Sequence, residues 1–207
     1  MENMLINLLF VQLAPFLYVL FCYIDYVRNK ESYENYPQIE DKLPLVAKNV
    51  FLYMPLTHYV VFSLFPHEVV FKTGFKELAF LILEIIFSDI YFYSLHRLCH
   101  SNKYLYRNIH KTHHEIKETL GVFAFYCHPL EMVVVNMGNV YISHMIFRHS
   151  YFHNGVMALL GFSSGILGAH SGNNIGGYHQ LHHLHRKCNY GLEMFMDRLM
   201  GTERMPE

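Results

Sequence analysis

Charge is scarce in this chain. Of its 207 residues only 16% are Asp, Glu, Lys or Arg, where a soluble domain of this size carries about a quarter. The formal net charge of −1 gives no basic footprint, which excludes nucleic acid as the main partner. Cysteine is equally thin. Cys22, Cys99, Cys127 and Cys188 lie far apart and form no Cys-x-x-Cys pair. That excludes a disulfide framework and a zinc ribbon and leaves reduced thiols in or beside a membrane. The chain also lacks a Cys-x-x-Cys-His haem signal, a G-x-G-x-x-G fingerprint, a solenoid-length repeat and a low-complexity tract. Redox chemistry would therefore need electrons from another protein.

What the chain has is apolar length. Hydrophobic residues make up 52% of it, and the length suggests one domain with an N-terminal anchor. Residues 4–24 form an uncharged apolar run long enough to cross a bilayer. This run has no basic n-region and no small-residue cleavage site, so it reads as an anchor rather than a signal peptide. A polar stretch from Asp25 to Lys42 follows, rich in charge and tyrosine. Leu43–Pro66 and Leu78–Leu95 are further candidate spans. Gly121–Phe147 and Tyr151–Ala169 are a fourth and fifth, or else a hairpin that only partly penetrates, because Pro129, Asn136, Asn139 and several glycines interrupt them. With five spans and the histidine-rich segments 96–117 and 170–207 in the cytosol, 13 of the 16 Lys and Arg fall inside or at the inner boundary, and only Lys72, Lys76 and Arg148 lie outside. That is the positive-inside pattern. The expected fold class is all-α, an integral-membrane helical bundle with a cytosolic histidine-rich metal-binding cap. Residues 1–77 form the N-terminal spans and loops, and residues 78–203 form the metal-binding domain.

Histidine is the second abundance, with 16 residues, and most fall in three clusters. The first is His96 and His100, four apart at the end of the third span, so on a helix both imidazoles share a face. The second is His110-Lys-Thr-His113-His114, and the third, His179-Gln-Leu-His182-His183, repeats its spacing. A lone histidine on a helix face is usually just a satisfied polar residue. Eight in these patterns at membrane boundaries exceed the four ligands of a structural zinc site and suit two ions with imidazole-rich shells and an open position. Imidazole does not choose the metal, since iron, copper, zinc and nickel all accept it.

Asp89 stands out because an acid inside an apolar span is costly and usually functional. It is the candidate for orienting a ligand histidine by accepting its second N–H, with helix-packing glue as the alternative. His128 and Glu131, flanking Pro129, are weaker candidates, and His128 also reads as the brace of a helix break. Asn189 and Asp197-Arg198 are expected to hold the C-terminal cap onto the metal-bearing helices. His144, His149, His153 and His185 match no cluster, and His58 and His67 read as membrane-boundary residues.

The order of these motifs resembles the fatty acid hydroxylase/sterol desaturase superfamily of integral-membrane non-haem di-iron enzymes. The matching text runs from Asp89 (DIYFYSLHRLCH) through IHKTHHE, YCHPLE (Tyr126–Glu131) and His170-Ser-Gly to HQLHH, Asn189-Tyr190-Gly191 and Asp197–Thr202. It covers roughly residues 78–203. The resemblance implies metal ligation by His96, His100, His110, His113, His114, His179, His182 and His183, with His170 as a ninth ligand. It implies two iron ions, dioxygen as co-substrate and a cytochrome b5-type electron donor. The implied reaction is hydroxylation or desaturation of an unactivated C–H bond of a sterol or fatty-acyl lipid, at the endoplasmic reticulum. The chain departs from the pattern in two places. Only nine steps separate His170 from His179, which shortens the segment expected to border the substrate mouth. There is no Trp before the first cluster, where Tyr91, Phe92 and Tyr93 stand instead.

Lys103, Arg107, Lys111, Arg186 and Lys187 read either as a docking face for an acidic donor or as part of the positive-inside excess. Two other functional classes compete. A membrane zinc-dependent lipid hydrolase would want a general-base acid placed as in H-E-x-x-H, which neither helical cluster has. A non-catalytic metal-binding or transport protein would need sites weak enough to release the ion, and eight or nine ligands look like a permanent cage.

Overall fold

The computed structural model describes residues 2–36, 38–65, 74–147, 151–171, 178–192 and 194–205. His67, Lys72, Arg148, His149 and the 172–177 segment expected to border the substrate mouth lie outside the described residues. Among the described residues every regular element is helical. The long elements are α1 (Glu2–Arg28), α2 (Ile39–Leu64), α3 (Phe75–Ser101), α4 (129–147) and α5 (151–170). Two short helices close the chain, α6 (Tyr178–His185) and α7 (Phe195–Met200). Three of the long helices contain a π-helical stretch: Asn49–Tyr53 in α2, Met132–Met137 in α4 and Ser163–His170 in α5.

Among the described residues, α2 and α3 are long and apolar enough to cross a membrane. The expected span at 121–147 is broken in two. Residues 121–128 are not a membrane helix, and a new helix starts at Pro129, whose fixed φ suits a first helical position and whose N-terminus is capped by the His128 ring accepting from the Leu130 N–H. The helical remainder, 129–147, is about 28 Å long at 1.5 Å per residue.

The segment 116–127 is irregular apart from one 3-10 turn at Gly121–Phe123, and from Thr119 onward it runs through the interior of the protein. Ile116, Leu120, Phe123 and Cys127 are almost fully buried, packed with Tyr18, Val50, Met54, Met132 and Ile166. Buried peptide groups outside regular structure need partners of their own, and the helices supply them. The Asp25 carboxylate accepts from the Gly121 N–H at 2.7 Å, and the Tyr18 hydroxyl donates to the Val122 carbonyl. The Asn49 amide, at the π-turn of α2, donates to the carbonyls of Phe125 and Cys127 at 2.8 and 2.9 Å. Asp25 is itself held by Tyr33 and Asn29. A Cβ on residue 121 would come within 2.6 Å of the Asp25 carboxylate and 2.7 Å of Ile166, so only glycine permits this approach.

A second polar knot lies inside the helices. Glu84 of α3 is fully buried and accepts from the Ser143 hydroxyl of α4 and the His153 ring of α5, tying three helices at one level. Removing one partner of a buried, hydrogen-bonded pair leaves the other desolvated, at a cost of about 3–5 kcal/mol. Glu84→Ala and His153→Ala should each lower the thermal midpoint of the detergent-solubilised protein. The double substitution should cost less than the sum of the two, because they share one interaction. Strict additivity would show that the pair does not act as a clamp.

Candidate metal centre

The nine expected ligands fall into two groups, and their ring nitrogens converge within each. One group contains His96, His100, His110, His114 and His182; the other contains His113, His170, His179 and His183. Within a group all ligand atoms lie within 4.8 Å of one another.

The local structure explains the division. His96 and His100, four apart, share one face at the C-terminal end of α3. His110, His113 and His114 sit on a tight 3-10 turn, His110–Glu115. Its first and fifth residues, His110 and His114, face the first group, while His113 turns to the second. Helix α6 makes the opposite choice, sending His179 and His183 to the second group and His182 to the first. Each five-residue cluster therefore serves both groups, and the i+3 residue crosses over. The rings of the two groups are neighbours, with His114 and His183 centroids 4.9 Å apart. His170, the last residue of α5, completes the second group.

The protonation state follows from the other ring nitrogens. Nδ1–H of His96 donates to the Tyr190 carbonyl, of His182 to Cys188, of His183 to Ile116 and of His170 to Gly165, each at 2.7 Å. His113 donates to the Tyr126 carbonyl at 3.2 Å, and His110 to the Glu131 carboxylate at 2.7 Å. Burial, reinforced by neighbouring imidazoles, holds His110, His114, His179, His182 and His183 well below the usual imidazole range, and takes His113 to about 3. The rings are thus neutral, with Nδ1 protonated where it has an acceptor and a bare lone pair on Nε2.

Those lone pairs point at one another. In the first group, successive Nε2 atoms are separated by 2.8 Å (His100–His110), 3.0 Å (His100–His114, His110–His114), 3.1 Å (His96–His110, His100–His182) and 3.2 Å (His114–His182). In the second, His179 and His183 are 3.0 Å apart, and His170 Nε2 is buried without a protein partner. Unprotonated nitrogens cannot hydrogen-bond each other, and converging lone pairs repel unless a cation lies among them. Nitrogens bound about 2.1 Å from one ion and at right angles to each other are about 3 Å apart. The donor sets fit metal ions in number, charge and spacing.

Asp89 does not play the part expected of it. The ligand rings with a bonded Nδ1 use backbone carbonyls and Glu131, whereas Asp89 accepts from the backbone N–H groups of Leu192 and Met196 at 2.7 and 2.8 Å. It acts at one remove. Asp197 accepts from the N–H groups of Tyr190 and Gly191 and from the Thr202 hydroxyl. The two acids hold Tyr190, Gly191, Leu192 and the start of α7 so that the Tyr190 carbonyl meets His96. A Cβ at Gly191 would lie 2.6 Å from the Asp89 carboxylate. Asn189 binds the Tyr178 and Arg204 carbonyls and the Arg204 N–H, so Asn189 and Asp197 hold the cap as expected, whereas the Arg198 side chain is exposed and pairs with nearby Glu203. The acid that does orient a ligand is Glu131, and the Tyr-Cys-His-Pro-Leu-Glu text was the signal for it.

A cavity of about 330 Å³ borders both groups, touching His96 and His110 of the first and His113, His170 and His179 of the second. From there it extends between the helices, among Leu17, Met54, Phe62, Phe92 and Val140.

Residues 81–202, more than half the chain, match the fatty acid hydroxylase family. The chain belongs to that family. Among curated proteins it is similar to methylsterol monooxygenase 1 of Gallus gallus, 29% identical over 133 residues, covering 57% of this chain and 44% of the relative. It is similar to fatty acid hydroxylase ahd1 of Mycosarcoma maydis, 27% identical over 181 residues, covering 81% and 46%. It is also 31% identical over 125 residues to fatty acid hydroxylase domain-containing protein 2 of Homo sapiens, covering 58% and 37%. The chain thus spans less than half the length of these relatives. No solved structure matches it.

Outer-shell acceptors of ligand histidines typically matter about 10–100-fold in metal affinity. Glu131→Ala should lower the affinity of the first group by about that factor and spare the second, as read by chelator competition on the purified protein. Equal loss from both groups, or none, would contradict the assignment.

Proposed function

We propose that this family member is a membrane-bound di-iron oxygenase. It hydroxylates, or desaturates, an unactivated C–H bond of a sterol or fatty-acyl lipid, using dioxygen and electrons from a cytochrome b5-type donor. The observation that carries the reading is the apolar cavity that borders both histidine groups at one end and runs among the helices at the other. When bound, the two ions would supply the dioxygen chemistry. The protein's own contribution is to present neutral imidazoles at fixed angles, to shield that end of the cavity from water, and to align a lipid chain beside it.

Membrane residence is supported by what the helices expose. Phe16, Val19 and Tyr23 of α1, Leu56 and Leu64 of α2, and Phe75, Leu78 and Ile82 of α3 all face outward, each at least half exposed. A soluble monomer rarely leaves apolar surface so continuous. We read the chain as multi-pass, with residues 1–77 as spans and loops and 78–203 as the catalytic domain. The histidine centre lies on the cytosolic side, in accord with the positive-inside charge, and the family resemblance implies the endoplasmic reticulum. No nucleic acid is involved.

The test is expression in a host with lipid profiling, comparing the native chain with His113→Ala. The native chain should yield new oxygenated or unsaturated lipids, and His113→Ala should return them to background. Absence of any such lipid, with donor and bound iron present, would overturn the reading. A zinc-only protein that cleaves lipid amides without dioxygen would establish the hydrolase in its place.

A further inference from the structure

The cavity has a second polar end. Along α3 its lining runs from His96 back to Ile85, about 16 Å at 1.5 Å per residue. At the far end, roughly level with Ser88, stand His58 of α2 and Tyr141 of α4, both lining the cavity. Ser88 is already committed, donating to the Asn139 carbonyl at 3.0 Å. His58 was expected at a membrane boundary but lies inside the bundle, only 8% exposed.

The His58 ring is rigidly placed. It lies against Phe62 with centroids 4.0 Å apart and planes tilted by 32°, and meets Tyr141 edge-on, and its Nδ1 shares a 2.8 Å hydrogen bond with the Tyr141 hydroxyl. Its Nε2, however, is buried and has no protein partner. A buried polar atom left unpaired is costly and normally signals a missing partner. The same mark, a buried ring nitrogen without a protein partner, appears on His170 in the candidate metal centre. The Tyr141 hydroxyl has spare capacity too, since a phenol offers one donor and two acceptor sites.

The electrostatics restrict the ligand. Among the described lining residues there is no Lys or Arg. The single acid, Glu131, stands at the metal end with one oxygen bound to His110. A carboxylate or phosphate buried at the His58 end would have no countercharge, which a low-dielectric interior penalises heavily. A neutral hydroxyl both donates and accepts, matching the imidazole and the phenol together.

We propose that His58 and Tyr141 form a subsite for the neutral hydroxyl of a lipid alcohol, which lies along the cavity with its apolar end at the histidine centre. Eight residues of α3 separate the levels of Ser88 and His96, so the oxidised carbon lies on the order of 12 Å from that hydroxyl. The proposal rests on the oxygenase reading for the word substrate, but the subsite is a binding property that can be measured without turnover.

The full chain, metal-loaded and in detergent micelles, is incubated with an equimolar mixture of hexadecan-1-ol, hexadecane and hexadecanoate, and lipid retained per chain is quantified by mass spectrometry. The native chain should retain the alcohol about fivefold over the alkane, the effect of one neutral hydrogen bond, with the carboxylate lowest. His58→Phe and Tyr141→Phe should each pull alcohol retention down toward the alkane level at unchanged metal content. Equal retention of alcohol and alkane by the native chain, or a preference for the carboxylate, would overturn the proposal. If His58→Phe does not fold, Tyr141→Phe decides, and a preference that survives it also overturns the subsite. A native chain that prefers the alcohol yet oxidises no lipid would sink only the oxygenase reading; one that oxidises lipid without the preference would sink only the subsite.

Discussion

Everything in this protein is arranged around nitrogen lone pairs that would repel one another if no cation lay among them. Six of the nine imidazoles are held in a fixed orientation by an Nδ1–H bond to an acceptor, four of them on another stretch of chain. His96 of α3 is aligned by Tyr190 and His183 of α6 by Ile116, while His113 is aligned by Tyr126 and His110 by Glu131. The two histidine groups therefore couple α3, the 3-10 turn, the 116–127 segment and the C-terminal loop into one unit. Assembling neutral, desolvated imidazoles is unfavourable by itself, so folding and metal binding are expected to be coupled.

The same constraint accounts for the irregular backbone at the heart of the fold. Two of the aligning carbonyls, those of Ile116 and Tyr126, lie in the 116–127 segment and point at ligands. A helix there would have spent those carbonyls on its own ladder. The segment makes only a few turn bonds of its own, and Asp25, Asn49 and Tyr18 supply others from α1 and α2. The N-terminal helices, which carry none of the nine histidines, are thus part of what keeps the site in shape.

The histidine clusters were legible because three- and four-residue offsets are a property of sequence spacing, and the nine residues named from the text are the nine that converge. How they divide between two groups was legible in principle, since i and i+4 share a helix face and i+3 lies to one side, but only once the elements' relative placement was known. The acceptors that orient the rings were mostly not legible, because they are backbone carbonyls and any residue type can supply one. That is why Asp89, conspicuous as an acid in an apolar span, drew the role that Glu131 and five carbonyls share. The interruption at Pro129, with His128 bracing it, was legible, but its extent over 121–128 was not, because buried irregular backbone is as apolar in its side chains as a span. His58 escaped it because the polarity of a lone histidine does not reveal its depth.

The most direct measurement of the central claim is metal content. Purified native chain should carry two ions, and His183→Ala, which removes a ligand of the second group alone, should carry fewer. A native chain that folds and holds one ion or none after reconstitution with ferrous iron would contradict the account of two convergent imidazole groups.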